Sequence, residues 1–209
     1  MWRPRTFLSC VLICGGAVLL FLGARDYVGS RLGQAEAANQ FEQTISHSAP
    51  APGSFHAARL PEPAPLPLQP GEAFAKLIIP RLHTDLYVIE GTGKRQLRHG
   101  PGHMTGSALP GKTGNCIIAG HRDTHFRVLK NIRKGDDIVL ETQRGTFLYR
   151  VDNLEVVSPK NTKVLQPAPD ARLSLITCYP FYYVGAAPRR FAVQANLAGA
   201  IRNAPVSGE

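Results

Sequence analysis

The stretch Leu173-Ser-Leu-Ile-Thr-Cys178-Tyr-Pro-Phe181 is a short apolar run that stops at a thiol and a proline. Leu173, Leu175 and Ile176 read as a β-strand, and Pro180 cannot continue a central ladder because it has no N–H to donate. Cys178 therefore stands at a strand end, where side chains begin to face a cleft. An isolated cysteine is more often a buried structural residue than a nucleophile, so the rest of the chain must decide which it is.

Around this stretch, from Ala73 to about Gly199, the sequence breaks into short β-like runs. They are Phe74 to Ile79, Leu86 to Glu90, Asn115 to Gly120, Asp137 to Glu141, Thr146 to Val157, Leu173 to Cys178 and Phe191 to Asn196. Turns rich in Gly and Pro separate them at Gly91-Thr-Gly93, Gly100-Pro-Gly102, Leu109-Pro-Gly111, Lys134-Gly135 and Arg144-Gly145. Short helices are expected near Lys94 to His99 and Phe126 to Ile132. Seven or more strands with few helices in 127 residues predict an all-β fold, a closed or nearly closed barrel or a sandwich.

The flanks are different in kind. After Arg3 and Arg5, the seventeen residues from Phe7 to Gly23 carry no charge, which is near the lower limit for crossing a bilayer core about 30 Å thick. Basic residues on its N-terminal side predict a cytoplasmic N-terminus and an exported remainder. Small residues suited to signal cleavage do not follow closely, since Leu22-Gly-Ala24 is a poor match and Ala35-Glu-Ala37 lies too far on, so an uncleaved anchor over 1–25 is expected. Val28, Leu32, Ala35, Phe41 and Ile45 fall roughly at helical spacing and predict a juxtamembrane helix. The Ala/Pro-rich stretch from His47 to Gly71 predicts an extended stalk that completes a linker over 26–72 and holds the domain over 73–199 away from the membrane. Residues 200–209 read as a frayed tail.

The 209-residue chain has 24 Lys and Arg against 15 Asp and Glu, a net charge of +9. These basic residues are scattered, with no Lys/Arg block, zinc-finger spacing or aromatic RNA-binding motif, so nucleic acid is not expected as a partner.

Three side chains can do chemistry together. His121 ends the strand that begins at Asn115 and can serve as the base or cation that a thiol needs to ionise near neutral pH. Arg190 opens the last strand twelve residues after Cys178, close enough for a return strand beside it, and its permanent charge can stabilise an oxyanion. Alternation puts Arg190 and Arg189 on opposite faces, and the residues alone leave open which one enters the site. Two other readings compete. Cys116 could bridge to Cys178 in an exported protein, although Asn115-Cys-Ile-Ile-Ala119 reads as a central buried strand. His121 and His125 stand four apart and would share a metal-binding face on a helix, but His121 closes a strand and no third ligand is placed, so no metal is expected. His103 and His125 read mainly as surface imidazoles. Leu109-Pro-Gly-Lys-Thr-Gly114 reads as a turn.

At these residues the chain becomes recognisable. Leu175-Ile-Thr-Cys178 resembles the catalytic-cysteine motif of the sortases, Ala119-Gly-His121-Arg-Asp resembles their histidine motif, and Arg190 matches the arginine of their last strand. Gly100-Pro-Gly-His-Met-Thr-Gly-Ser-Ala-Leu-Pro-Gly111, Ala119-Gly-His-Arg-Asp-Thr-His-Phe126 and Thr177-Cys-Tyr-Pro-Phe181 look most like class D sortases of the proteobacterial, Gram-negative branch. The resemblance implies a sortase-type closed β-barrel and a cysteine transpeptidase with no cofactor. Its substrate would be a protein with a C-terminal sorting signal of Leu-Pro-x-Thr-Gly type, passed through a thioester to an amine acceptor. Carried over, Cys178 is the nucleophile, His121 the proton carrier and Arg190 the substrate and oxyanion ligand, with Thr177 in support beside the nucleophile. With the N-terminal anchor, it places the catalytic domain on the periplasmic side of the inner membrane. A thiol peptidase that uses water as acceptor, or a non-catalytic envelope module with Cys178 paired or inert, are the alternatives.

Overall fold

The computed structural model describes residues 4–47, 68–183 and 185–202. Its centre is a closed barrel of eight strands: β1 (Ala73–Ile79), β2 (Thr84–Glu90), β3 (Gly102–His103), β4 (Gly114–Ala119), β5 (Asp137–Thr142), β6 (Gly145–Val157), β7 (Ala171–Tyr179) and β8 (Arg189–Arg202). Around the barrel the order is β1-β2-β3-β4-β7-β8-β6-β5, and β5 returns to β1. Two neighbouring pairs, β2 with β3 and β4 with β7, run parallel, and the others are antiparallel.

The core follows from period-two patterning. Leu77, Ile79, Val88, Ile118, Ile138, Leu140, Tyr149, Leu173, Leu175 and Val193 alternate inward and are fully buried, with Phe126 and Leu129 closing the interior from a 3₁₀ helix at His125–Asn131. Each such side chain contributes roughly 1.5–3 kcal/mol through burial. Closure removes the exposed edges that an open sheet would carry. Among the described residues every buried side-chain nitrogen and oxygen has a hydrogen-bond partner.

All seven expected strands are present, and the helix expected at Lys94 to His99 is α2 (Lys94–His99). The strand missed is β3, in a stretch that reads as a turn. It is only two residues long, yet it joins β2 to β4. The final strand also runs on through Arg202, so Ala200 and Ile201, expected in the tail, pair with Phe147 and Thr146 of β6. Leu109-Pro-Gly-Lys-Thr-Gly114 is a turn: Gly111 has φ +75°, its N–H donates to the Tyr149 hydroxyl at 2.8 Å, and a Cβ there would stand 2.0 Å from the Phe147 ring.

The N-terminal region departs most from expectation. One continuous helix, α1 (Pro4–His47), combines the apolar run with the expected juxtamembrane helix. Among its described residues, no stretch is long and apolar enough to cross a membrane; Leu12, Ile13, Leu19, Leu20 and Phe21 are nevertheless exposed. Its C-terminal half packs on the barrel through Ser30, Gly33, Ala37 and Phe41, a helical face of mostly small residues. Of the five apolar positions whose spacing predicts this helix, Phe41 is buried, and Val28, Leu32, Ala35 and Ile45 face outward.

The reason lies in what α1 meets. Gln34 Nε2 donates to the Tyr87 and His99 carbonyls at 3.0 and 3.1 Å, and Tyr87 N donates to Gln34 Oε1 at 2.8 Å. A Cβ on Gly33 would fall 2.6 Å from His99 Cα. Contact with backbone at this range needs small residues and an amide, whereas bulky aliphatics would hold the helix off. Phe41 then packs edge-on to Tyr87 with ring centroids 5.8 Å apart, beside Ala73 and Ile89.

Most of the Pro-rich stretch from His47 to Gly71 lies outside the described residues, which omit 48–67. The chain on either side of it lies against one face of the barrel: Phe41 packs with Ala73, and Gln40 lines the same groove as Pro70 and Gly71.

Candidate active site

Strand register brings the three predicted side chains together. In the antiparallel β7·β8 pair Cys178 is directly opposite Arg190, so both project from the same face. Arg189 is opposite Tyr179 and points the other way, which settles the choice left open by alternation. On the other side of β7, the parallel ladder with β4 pairs Ala119 with Ile176. Two residues further along each strand are His121 and Cys178. That ladder persists past the end of β4, with Gly120 N donating to Ile176 O at 3.0 Å and Thr177 Oγ1 donating to Gly120 O at 2.7 Å. The Thr177 hydroxyl is thus committed to locking the histidine strand to the cysteine strand.

A cleft of about 320 Å3 opens at this end of the barrel, lined by His121, Arg122, Asp123, Cys178, Gly185, Ala186, Ala187 and Arg190. Cys178 and Arg190 are half-buried and His121 is exposed. Arg190 Nη1 donates to the carbonyls of Ala187 and Arg189 at 3.2 and 3.0 Å, which aims the guanidinium along the rim and leaves its remaining N–H groups for a ligand.

Sequence reasoning missed the residue that shapes the cleft wall. Arg122 donates to the carbonyls of Pro180, Tyr183 and Gly185 at 3.2, 2.7 and 3.1 Å, and its guanidinium lies 5.7 Å from the Tyr183 ring centre. One side chain next to His121 therefore braces the loop that follows Cys178. Beneath that loop Tyr179, Phe181 and Phe191 stack edge to face or tilted. Lys130 Nζ donates to the Tyr182 hydroxyl at 2.6 Å, and this lowers the phenol's pKa.

The other cysteine and histidines are differently placed. Cys116 is in mid-strand, 1% exposed, paired with Leu173. Leu173 is five positions before Cys178, about 16 Å along the strand, far beyond disulfide reach, and both thiols are free. Burial pushes the Cys116 thiol pKa up. His125 and His103 are not surface imidazoles, contrary to the sequence reading. His125 is buried, shares a 2.9 Å hydrogen bond with Ser30 Oγ, and has its pKa lowered to about 4 by burial and by His121. His121 and His125 share no helical face, since His125 opens the 3₁₀ helix after a turn closed by Phe126 N donating to His121 O at 2.9 Å. His103 is also buried, held between Glu90 Oε2 at 2.7 Å and Ser107 Oγ at 2.9 Å. His125 was not recognisable as buried from sequence, because its partner is remote: Ser30 lies 95 positions away.

Comparison with known proteins agrees with this geometry. A family model for the sortase domain matches residues 77–198, and the chain belongs to the sortase family. Sortase D of Bacillus subtilis is 36% identical over 124 residues, covering 59% of this chain and 63% of its own length. Sortase SrtE1 of Streptomyces coelicolor is 34% identical over 164 residues, covering 69% of this chain and 43% of its own length. The chain thus spans less than two thirds of either relative. Among solved structures, a Clostridium perfringens Sortase D5 transpeptidase shares the fold with a TM-score of 0.62 at 23% identity, over 82% of this chain and 99% of that one. Sortase E1 from Streptomyces coelicolor, with a tripeptide in the active site, gives 0.57 at 29% identity, over 65% and 93%.

Proposed function

We propose that the protein is a cysteine transpeptidase that cuts a C-terminal sorting signal of Leu-Pro-x-Thr-Gly type and transfers the target protein to an amine. The observation that supports this most is the cross-strand pairing of Cys178 with Arg190 at a cleft that His121 also lines. Membership of the sortase family supports the same chemistry.

In the first half-reaction Cys178 Sγ, as thiolate, attacks the Thr carbonyl carbon. The negative charge that develops on the carbonyl oxygen falls to the Arg190 guanidinium, whose charge never titrates. The C–N bond to Gly breaks as His121, protonated, delivers its proton to the departing amine. The thioester that remains is attacked by an acceptor amine, whose proton His121 takes. An amide forms and the thiolate leaves. Splitting one acyl transfer into two lower barriers is what the covalent intermediate achieves.

The motifs around Gly100, Ala119 and Thr177 support a class D assignment in the Gram-negative branch. The uncharged run of α1 supports an anchor in the inner membrane with the barrel on the periplasmic side. The test is to incubate the full chain in detergent with a Leu-Pro-x-Thr-Gly peptide and an amine and to weigh the products. An amine adduct is expected; free acid alone reduces the protein to a thiol peptidase, and an intact peptide refutes the reading.

A further inference from the structure

We propose that the N-terminal helix is a working part of the catalytic unit: Ser30 of α1, through His125, is a positioning residue for His121. This rests on the proposed proton-carrying role of His121.

The contacts form a short chain. Ser30 Oγ bonds His125 Nε2 at 2.9 Å, and both residues are buried, 8% and 7% exposed. The residue after His125 donates its backbone N–H to the His121 carbonyl at 2.9 Å, which closes the turn that carries His121. On the far side of that turn, a Cβ on Gly120 would stand 2.7 Å from the Phe126 ring, so the turn has little room to relax. Phe126 in the core fixes the turn from below; the bond to Ser30 is what fixes the His125 side from outside the barrel. Thr124 Oγ1 lies 3.3 Å from His125 Nδ1, so both ring nitrogens are engaged.

Ser30 is itself held. One turn along the helix Gln34 is locked to the Tyr87 and His99 backbone, and Gly33 lies against His99. The position of Ser30 is therefore set by the barrel wall, and it is transmitted to the turn beside the cleft. A barrel cut free at the Pro-rich segment would keep Cys178 and Arg190 in register on β7 and β8 while losing this outer hold on His121.

The test compares wild type, Ser30→Ala, Ser30→Thr and Gly33→Leu as full chains in detergent, well below their melting temperatures. Rates are divided by the fraction of chains whose Cys178 is titrated by an alkylating agent. In Ser30→Ala, kcat should fall about five- to tenfold, the scale of one lost hydrogen bond, with KM for the sorting peptide unchanged. Ser30→Thr, which keeps the hydroxyl, should restore most of it, and Gly33→Leu, which prises the helix away, should match or exceed the loss. Wild-type kcat per active site in Ser30→Ala overturns the proposal even if its melting temperature drops. So does a rise in KM at constant kcat, or an equal loss in Ser30→Thr. If wild type itself neither cleaves nor transfers, the proposed function fails instead.

Discussion

Two cysteines stand on neighbouring parallel strands of this barrel, and they could hardly be more differently placed. Cys116 is in the middle of β4, 1% exposed, facing Leu173 across the ladder, and burial pushes its thiol pKa up. Cys178 is at the end of β7, half-buried, facing Arg190 across the ladder, with His121 on the rim of the same cleft. The histidines repeat the contrast. His103 and His125 are buried with partners on both ring nitrogens, whereas among the described residues no hydrogen bond engages the His121 ring. Residue type does not separate the cleft-lining group from the core one here; position along the strand does. Mid-strand side chains are consumed by packing, and strand-end side chains remain free to meet a substrate.

The contrast can be broken most directly at the thiols. Cys178→Ala is expected to abolish cleavage of the sorting peptide, while Cys116→Ala leaves turnover per folded molecule within about twofold, since it lies outside the cleft. Cleavage retained by the Cys178 variant would end the comparison. Next in size, His121→Ala should lower kcat by roughly 10²–10⁴ through loss of the proton carrier. Arg190→Ala should lower it by roughly 10²–10³ through loss of the oxyanion ligand. Arg189→Ala, on the opposite face, should stay near wild type; steady-state kinetics on the three variants, with a large effect at Arg189 and none at Arg190, would reverse the strand phase.

A smaller effect sharpens the histidine half of the comparison. The pKa of His125 lies at about 4 when folded, against 6.5 ordinarily. Between those values the unfolded chain binds the extra proton, so stability present above pH 6.5 is lost as pH falls toward 4. Acidification from pH 7 to pH 5 should cost wild type about 2 kcal/mol more than His125→Gln, by denaturant melts at each pH. Parallel curves would show that His125 is not held neutral. Smallest of all, Cys116→Ala should cost about 1 kcal/mol of stability, the usual scale for one small buried deletion.

Much of this was readable from residues alone. The strands were legible because their inward positions alternate and Gly or Pro marks the turns; β3 was not, because two residues carry no period. Cys178 and His121 were legible as candidates because each stands where an apolar run stops, and Arg190 because it stands where one starts. What sequence could not supply was register: alternation left Arg189 and Arg190 open, the family resemblance alone named Arg190, and the β7·β8 pairing puts it opposite Cys178. The docking of α1 was hidden for a different reason. Its buried face is Ser30, Gly33, Ala37 and Phe41, and Gln34 beside it meets backbone atoms of β2 and α2. A search for an aliphatic stripe selects Val28, Leu32 and Ile45, which are exposed. The same docking conceals His125, whose partner lies 95 residues away.

The most direct test of the central claim is to trap the acyl-enzyme. The full chain is mixed with a Leu-Pro-x-Thr-Gly peptide without added amine, quenched in acid and digested, and the fragments are weighed. The fragment containing Cys178 should gain the mass of the peptide up to its Thr, and a brief chase with an amine should remove it while an amide product of matching mass appears. Turnover with no such adduct on Cys178, or an adduct on Cys116 instead, would contradict the account.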